Sequence, residues 1–369
     1  MNTSIDSNVT YIEDDWEYLK RIYNVTPLTD GGYFACAVYL LFVGVLATFG
    51  NLIVLHIFYK NKKLLKNPQN LFIFNLTVSD LGISLFGYPL TTTSCFAQRF
   101  LFGEIGCIIQ GVTTFTFALA DMKTLVALSV YRYIYLCWPH LKYRLTIEFT
   151  RMVIAGLWLY SLFWTLMPLF GWSRYVLEPF GTSCSIDWTL RSHAGRAYTL
   201  CLIFFCFFVN IGIMTFSYVK VVVTSRRLMK RLKATRTAVS IDEALEQRNI
   251  SKEHRLVWIS MAMVVSFAIL WSPYAILSNV FAYVDDIPPW VSTVPTMFCK
   301  SSCLLNPVIY CMFNQDFRNC VIGIFSRRRK VGEAVKSKPI RRVIVDRTRE
   351  GIYIGDAEVE VRHEKRILF

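Results

Sequence analysis

The sequence predicts an all-α membrane protein: a bundle of seven transmembrane helices followed by a short amphipathic eighth helix. Of its 369 residues, 54% are hydrophobic and only 18% are charged, and the mean hydropathy is +0.39. Such values are typical of a chain with several membrane spans. Helices satisfy their own backbone hydrogen bonds inside lipid, so apolar runs of about 20 residues favour a helical bundle. The seven runs are Tyr33–Tyr59, Asn70–Phe96, Glu104–Cys137, Arg151–Gly171, Tyr198–Thr224, Arg255–Tyr283 and Trp290–Phe313.

The segments outside the bundle differ in composition. The predicted division is an extracellular N-terminus at 1–32, the bundle at 33–313, the amphipathic helix at 314–325 and a cytoplasmic tail at 326–369. The N-terminal segment is acidic and carries glycosylation sequons at Asn2, Asn8 and Asn24, which favours an extracellular position. Cys320, in the amphipathic helix, is a candidate for palmitoylation.

The net charge of +14 is unevenly distributed. Lysines and arginines crowd three alternate connections, at 60–66, 140–151 and 226–236, and open the tail at 327–330. This positive-inside pattern places these loops and the C-terminus in the cytoplasm and predicts an integral protein of the plasma membrane. Basic segments beside a membrane favour anionic lipid, so the charge does not indicate nucleic-acid binding.

Lys300 is the only charged residue in the apolar run Val291–Phe313. An intramembrane lysine is costly and is by default functional. In an apolar pocket its amine can form a Schiff base with an aldehyde. The alternative is a side chain that extends to the interface, but Lys300 lies about 14 Å into the span. Its depth therefore favours a function.

Two of the eleven cysteines stand apart from the apolar spans. Cys107 opens the third span on the outer side, and Cys184 lies in the following outer loop. The oxidising outer face permits a disulfide between them.

Several motifs occur in order on the expected spans. They are Gly50–Asn51, NLTVSD ending at Asp80, Arg132, Trp158, WSPY at Trp271–Tyr274 and NPVIY at Asn306–Tyr310. Together they resemble the rhodopsin-class G-protein-coupled receptors over residues 33–325. The resemblance implies a heterotrimeric G protein, and also arrestin, as partners.

Within that class the chain resembles the opsins. Lys300 stands six residues before Asn306, where opsins attach retinal. The resemblance implies retinal, 11-cis or all-trans, bound to Lys300 as a Schiff base. The stretch Glu178–Trp188 and the residues around Lys300 are most similar to the neuropsin branch.

A protonated Schiff base needs a counter-charge, because desolvation otherwise favours its neutral form. In vertebrate visual opsins a glutamate three residues after the third-helix cysteine has this role, but here the position is Gln110. Glu178 matches the outer-loop counterion of many invertebrate-type and bistable opsins. A solvated loop acid is its alternative interpretation. A neutral, ultraviolet-absorbing Schiff base and a visible-absorbing one paired with Glu178 both stay open.

Two groups of residues are predicted to line the retinal pocket. Phe267, Trp271 and Tyr274 share one face of the sixth span, a stripe that is also typical of ordinary core. On the third span, Thr114, Phe115 and Ala118 face the same space. Thr114 stands where amine receptors place an aspartate, which argues against an aminergic ligand.

The resemblance also implies a switch on the inner side. Arg132 matches the G-protein-contacting arginine, but Tyr131 replaces the acid that usually precedes it, leaving Glu253 in the sixth span as the expected acid for an ion pair. Loss of one ion pair predicts raised dark activity, unless the Tyr131 hydroxyl compensates. Tyr218 and Tyr310 match residues that stabilise the active state.

The fifth span departs from the family in a second way. Asn210 stands where the family usually carries a proline. Without proline the helix has less reason to bulge, so a regular helix is expected.

A third departure is a pair of acids inside the membrane. Asp80 matches the family's sodium-site aspartate, and Asp121 occupies a position that usually holds serine. They are expected to share a proton, or to hold a cation together with Asn306. A third alternative pairs Asp121 with a basic group other than Lys123.

The leading functional prediction is a light-sensing receptor. Ultraviolet sensitivity and bistability are two further features considered for it. A retinal photoisomerase with weak or no G-protein coupling is the second, supported by the missing acid before Arg132 and the missing proline at Asn210. A receptor for a diffusible ligand would require Lys300 to be incidental. No hydrolase or kinase constellation and no metal-ligand spacing is visible, so an enzyme is not predicted.

Overall fold

Seven helical segments, numbered one to seven in chain order, follow one another in the computed structural model. The structure describes residues 25–234, 241–281, 283–284, 287–313 and 318, without the side chains of 231–234, 241–253 and 311–313. Helix one is Asp30–Lys60, helix two Pro68–Phe86 and Tyr88–Phe96, helix three Gly103–Cys137, helix four Ile147–Leu166, helix five His193–Ile203, Phe204–Phe208 and Val209–Ala234, helix six Ile241–Phe281, and helix seven Pro289–Lys300 and Ser302–Phe313. Between them lie the short 3₁₀ helices Lys62–Lys66, Pro139–Arg144 and Met167–Phe170 and the strands β1, Tyr175–Leu177, and β2, Cys184–Ile186.

Some predicted features lie outside this description. They are the sequons at Asn2, Asn8 and Asn24, Cys320, the tail at 326–369, and the amphipathic helix at 314–325 apart from residue 318. Glu253 lies in helix six, but its side chain is not described, so its ion pair with Arg132 stays a prediction.

Polar residues cap the starts of several helices. Thr29, Asn67, Thr146 and Ser192 each accept a hydrogen bond from a backbone N–H two or three residues further on. These side chains satisfy N–H groups that have no partner within the helix. The helices therefore begin a few residues before the apolar runs do.

Helix seven is divided rather than continuous. Six helices of the described chain are long and apolar enough to cross a membrane, whereas the seventh consists of two pieces of 12 residues that meet at Ser301. Pro307 has no N–H to donate to the Cys303 carbonyl, which instead accepts from Asn51 Nδ2 at 3.1 Å. The predicted seventh span is thus present, but Lys300 lies at its break.

Helix five contains a bulge, so the prediction of a regular helix was wrong. Phe204–Phe208 form a π-helical turn just before Asn210. The Asn210 side chain donates from Nδ2 to the Cys206 carbonyl at 2.6 Å, and Lys123 Nζ donates to the Phe205 carbonyl at 3.4 Å. Side-chain donors therefore hydrogen-bond to carbonyls of the bulge, although the proline that was expected to be needed for a bulge is absent.

Helix three lies at the centre of the bundle, in contact with helices two, four, five and six. The main core is buried between these helices and includes Leu76, Leu125, Leu128, Val221 and Tyr310. Large apolar side chains on the outward faces of the helices are exposed, which suits contact with lipid. The chain is accordingly an integral membrane protein.

A β-hairpin covers the end of the bundle at which helix three begins. Strands β1 and β2 pair antiparallel, with Val176 opposite Ser185. The disulfide between Cys107 and Cys184, with an S–S length of 2.10 Å, joins the hairpin to helix three and confirms the predicted bond. Tyr175 donates its hydroxyl to the Thr165 carbonyl at 2.7 Å. The hairpin is therefore fixed to helices three and four.

Candidate functional site

A cavity that holds about 80 Å³ of space for the centres of water-sized molecules lies beneath the hairpin, between helices two, three, six and seven. Its lining is mostly apolar with a few placed polar groups, which is typical of small-molecule sites. Its walls are Ile83, Gly87, Tyr88, Gly111, Thr114, Phe115, Ala118, Glu178, Cys184, Ser185, Ile186, Trp188, Trp271, Tyr274, Thr296, Cys299, Lys300, Ser302 and Cys303. Lys300 and Glu178 are the charged residues among them.

Lys300 directs its amine to the hairpin side of the cavity. Its Nζ donates to Ser183 Oγ at 3.1 Å and lies 3.7 Å from Glu178 Oε2. The Lys300 side chain is 18% exposed, and its backbone carbonyl accepts a hydrogen bond from the Tyr88 hydroxyl. The break at Ser301 and this contact fix the position of the amine within the cavity.

Glu178 is a buried acid rather than a solvated loop acid. It is 5% exposed, immediately after β1 and opposite Ser183, whose carbonyl accepts from Glu178 N at 2.8 Å. Gly181 forms the turn between them with a φ of +74°, a conformation that favours glycine. Tyr274 donates its hydroxyl to Glu178 Oε1 at 3.5 Å. Glu178 Oε2 has no hydrogen-bond partner among the described residues, which leaves it facing the Lys300 ammonium.

Gln110 is not one of the wall residues of the cavity, and its side chain contacts protein groups instead. Its Oε1 accepts from Cys184 N at 3.1 Å, and its Nε2 donates to Thr91 Oγ1 at 2.9 Å. The amide needs both an acceptor and a donor atom to make these contacts. Gln110 thus lies behind the wall and connects the hairpin to helices two and three.

The predicted aromatic stripe divides between wall and core. Trp271 and Tyr274 line the cavity, as do Thr114, Phe115 and Ala118 of helix three. Phe267 is not among the wall residues, so its contact with retinal stays a prediction. It lies one turn further inward, 3% exposed, with its ring stacked on Trp271 at a centroid distance of 5.4 Å. Trp271 therefore separates Phe267 from the cavity.

Sequence reasoning missed several residues of the site. Ser183 contacts the Lys300 amine, and Trp188 Nε1 donates to the Tyr274 hydroxyl at 3.1 Å. The disulfide at Cys184 and an acid six residues earlier are the signal that a hairpin brings Ser183 and Glu178 together. Cys299 and Cys303 lie four residues apart on either side of Lys300, a spacing that brings both cysteines to one face of helix seven and so to the wall.

The residues predicted for the switch lie buried in the inner half. Arg132 is 1% exposed, and Tyr218 is buried beside it. Tyr131 packs between the rings of Phe72 and Tyr135, with centroids 6.0 Å away in each case. Tyr310 is fully buried. The structure therefore brings Arg132 and Tyr218 together.

Asp80 and Asp121 are both buried and close enough to interact electrostatically. Asn306 Nδ2 donates to Asp80 Oδ2 at 2.8 Å, while Oδ1 of each aspartate has no hydrogen-bond partner among the described residues. No ion pair within the described chain includes Asp121, and Lys123 donates to Asn210 on helix five instead. This leaves the shared proton and the bound cation as the alternatives.

Comparisons with known proteins agree with this architecture. Residues 50–310 match the family of 7 transmembrane receptors (rhodopsin family). The chain is 37% identical to Opsin-5 of Homo sapiens over 77% of this chain and 79% of that protein. It is 34% identical to the G0-coupled rhodopsin of Mizuhopecten yessoensis, over 78% of this chain and 72% of that protein. The crystal structure of squid rhodopsin is 29% identical, with a TM-score of 0.76, and the match covers 88% of this chain and 91% of that chain. The chain therefore belongs to the rhodopsin family of seven-transmembrane receptors and, within that family, to the opsins.

Proposed function

We propose that this opsin is a light-sensing G-protein-coupled receptor that carries retinal as a Schiff base on Lys300. The observation that supports this most is a lysine amine inside a largely apolar cavity, with a buried carboxylate 3.7 Å away. The names of the relatives, opsin and rhodopsin, agree with it. As a member of a receptor family, the chain is not an enzyme.

The residues present suit such a chromophore. Lys300 supplies the amine, and Phe115, Ala118, Trp271 and Tyr274 supply apolar and aromatic walls. Bound retinal, in its 11-cis or all-trans form, supplies light absorption and a change of shape. Glu178 balances the positive charge on the nitrogen, since a buried cation without a partner is strongly disfavoured.

The position of Glu178 favours a protonated, visible-absorbing Schiff base over an ultraviolet-absorbing one. The carboxylate lies on a hairpin that the disulfide joins to helix three, so it stays in place when helix six moves. The nitrogen then keeps its counter-charge before and after illumination. We therefore propose that the pigment is bistable.

Coupling to a heterotrimeric G protein is proposed through Arg132 and the basic inner loops, with arrestin as a second partner. One relative is named as G0-coupled and another as GQ-coupled. In receptors of this kind, the inner ends of helices three and six separate on activation, a shift between two packings. Tyr218 beside Arg132, and the buried Tyr310, are placed to stabilise the second packing. An extracellular N-terminus in the plasma membrane belongs to the same proposal.

The second candidate function, a retinal photoisomerase, loses one of its two arguments. The helix-five bulge is present although proline is absent, so only the missing acid before Arg132 still favours weak coupling.

Purified protein with retinal is expected to accelerate nucleotide exchange on a G protein on illumination. Stoichiometric release of isomerised retinal without exchange would instead identify a photoisomerase. Loading with 11-cis and all-trans retinal separately shows which isomer is held in the dark.

Tyr131→Asp is expected to lower nucleotide exchange in the dark about fivefold, because an added acid forms an ion pair with the buried Arg132 and stabilises the inactive packing by about 1 kcal/mol. Tyr131→Phe, which removes the hydroxyl alone, is the matched control. Dark exchange is measured at equal receptor concentration in both variants. Unchanged dark exchange in Tyr131→Asp would contradict the proposal that the missing acid raises basal activity.

A further inference from the structure

Lys123 is a second lysine within the membrane, and the proposed function gives it no role. It lies near the middle of helix three and is 9% exposed. An intramembrane cation requires a partner, and the identity of that partner indicates its role. Lys123 turns away from the cavity and towards helices four and five.

The partners of Lys123 are dipoles and a ring. Its Nζ donates to Asn210 Oδ1 at 2.8 Å and to the Phe205 carbonyl at 3.4 Å, and it lies 3.9 Å from the centroid of the Tyr160 ring. None of the ion pairs found within the described residues includes Lys123. Two oxygen acceptors and an aromatic face are therefore the contacts found for the ammonium group within the described residues.

These contacts converge on the helix-five bulge. A π-helical turn loosens the regular hydrogen bonding of a helix, and an unsatisfied carbonyl inside a membrane costs several kcal/mol. The Phe205 carbonyl accepts from Lys123 and from the Tyr160 hydroxyl at 3.4 Å. The Cys206 carbonyl accepts from Asn210 Nδ2 at 2.6 Å. Lys123 thus satisfies one carbonyl of the bulge and orients the amide that satisfies the other.

We propose that Lys123 is a positioning residue that maintains the helix-five bulge in place of a proline. A π-turn contains one residue more than an α-turn, so its loss would rotate the remainder of helix five by about 100°. That rotation would carry Tyr218 away from its buried position beside Arg132. Lys123 therefore determines which face of helix five meets helix three on the cytoplasmic side.

The test compares Lys123→Met, which keeps the chain length and removes the donors, with the double variant Lys123→Met/Asn210→Pro. Proline lacks an N–H and disrupts the regular pattern by itself, so it should make Lys123 dispensable. Lys220→Met is the matched control, because Lys220 is an exposed lysine on helix five. Amide hydrogen exchange of residues 204–210 is measured by mass spectrometry on the full chain in nanodiscs without retinal. Light-dependent nucleotide exchange is measured on retinal-loaded protein.

Lys123→Met is expected to slow amide exchange at 204–210 about tenfold, because a regular α-turn replaces the looser π-turn, and to slow light-dependent nucleotide exchange by a similar factor, with an unchanged absorption spectrum. The double variant is expected to regain both values, and Lys220→Met to match the wild type. Unaltered amide exchange in Lys123→Met overturns the proposal. So does a double variant as impaired as the single one while retinal is still loaded.

The two measurements distinguish this inference from the proposed function, because only the nucleotide-exchange measurement rests on that function. Amide exchange needs neither retinal nor a G protein, so it stays interpretable even if the protein does not sense light. If Lys123→Met does not fold, the folded yield becomes the readout: rescue by Asn210→Pro supports the proposal, and absence of rescue contradicts it. Lys123→Gln, which keeps a donor without the charge, is expected to lie between the wild type and Lys123→Met.

Discussion

Lys300→Ala is expected to abolish covalent attachment of retinal and, with it, every light-dependent response of the protein. Lys300 is the only lysine among the described residues that line the cavity. No neighbouring amine is therefore placed to substitute for it. The expected loss is complete rather than partial, because removal of the attaching nucleophile removes the covalent step itself.

The measurement is borohydride reduction of retinal-loaded protein in the dark, followed by mass spectrometry of the peptide that contains residues 291–313. Wild-type protein should carry one retinal on Lys300, and the variant should carry none. Lys123→Met is the matched control, because it removes the other buried lysine, which points away from the cavity. It should trap retinal as the wild type does.

Two results would contradict the attachment site. Retinal trapped on another lysine of Lys300→Ala would place the chemistry elsewhere. A wild-type protein that traps no retinal would favour the third function considered above, a receptor for a diffusible ligand.

Much of the fold follows from local properties of the sequence. Hydropathy predicts the spans, because lipid admits few alternatives to a helix. The oxidising outer face predicts the bond between Cys107 and Cys184, which the structure confirms. The depth of Lys300 and the loop acid Glu178 direct attention to residues that the structure then places 3.7 Å apart.

The sequence is least informative where an outcome depends on contacts between distant segments. The helix-five bulge accepts hydrogen bonds from donors on helices three and four, which the local sequence around Asn210 does not contain. Phe267 lies on the same helical face as Trp271, and periodicity cannot show which of two stacked rings reaches a cavity. Gln110 was assigned to the counterion position of vertebrate visual opsins from its spacing to Cys107. That spacing could not show that its amide contacts the backbone of Cys184.

Glu178→Gln is expected to shift the midpoint of the spectral titration of the pigment about two pH units lower. The substitution keeps the size of the side chain and removes its charge. A buried cation that loses its counter-charge is less stable than its neutral form, so the protonated, visible-absorbing form should persist only at lower pH. At neutral pH the variant is therefore expected to absorb mainly in the ultraviolet and the wild type in the visible.

Absorption spectra across pH, in the dark and after illumination, measure this shift in protein loaded with one retinal isomer. Glu104→Gln is the matched control, because Glu104 is an exposed acid at the outer start of helix three and its loss should leave the titration unchanged. This measurement distinguishes a neutral, ultraviolet-absorbing Schiff base from a protonated, visible-absorbing one. A wild type that absorbs in the ultraviolet at neutral pH, with a spectrum that Glu178→Gln does not alter, would mean that Glu178 does not stabilise the charge. Because Glu178 Oε2 faces Lys300 and has no hydrogen-bond partner among the described residues, the structure favours the shift.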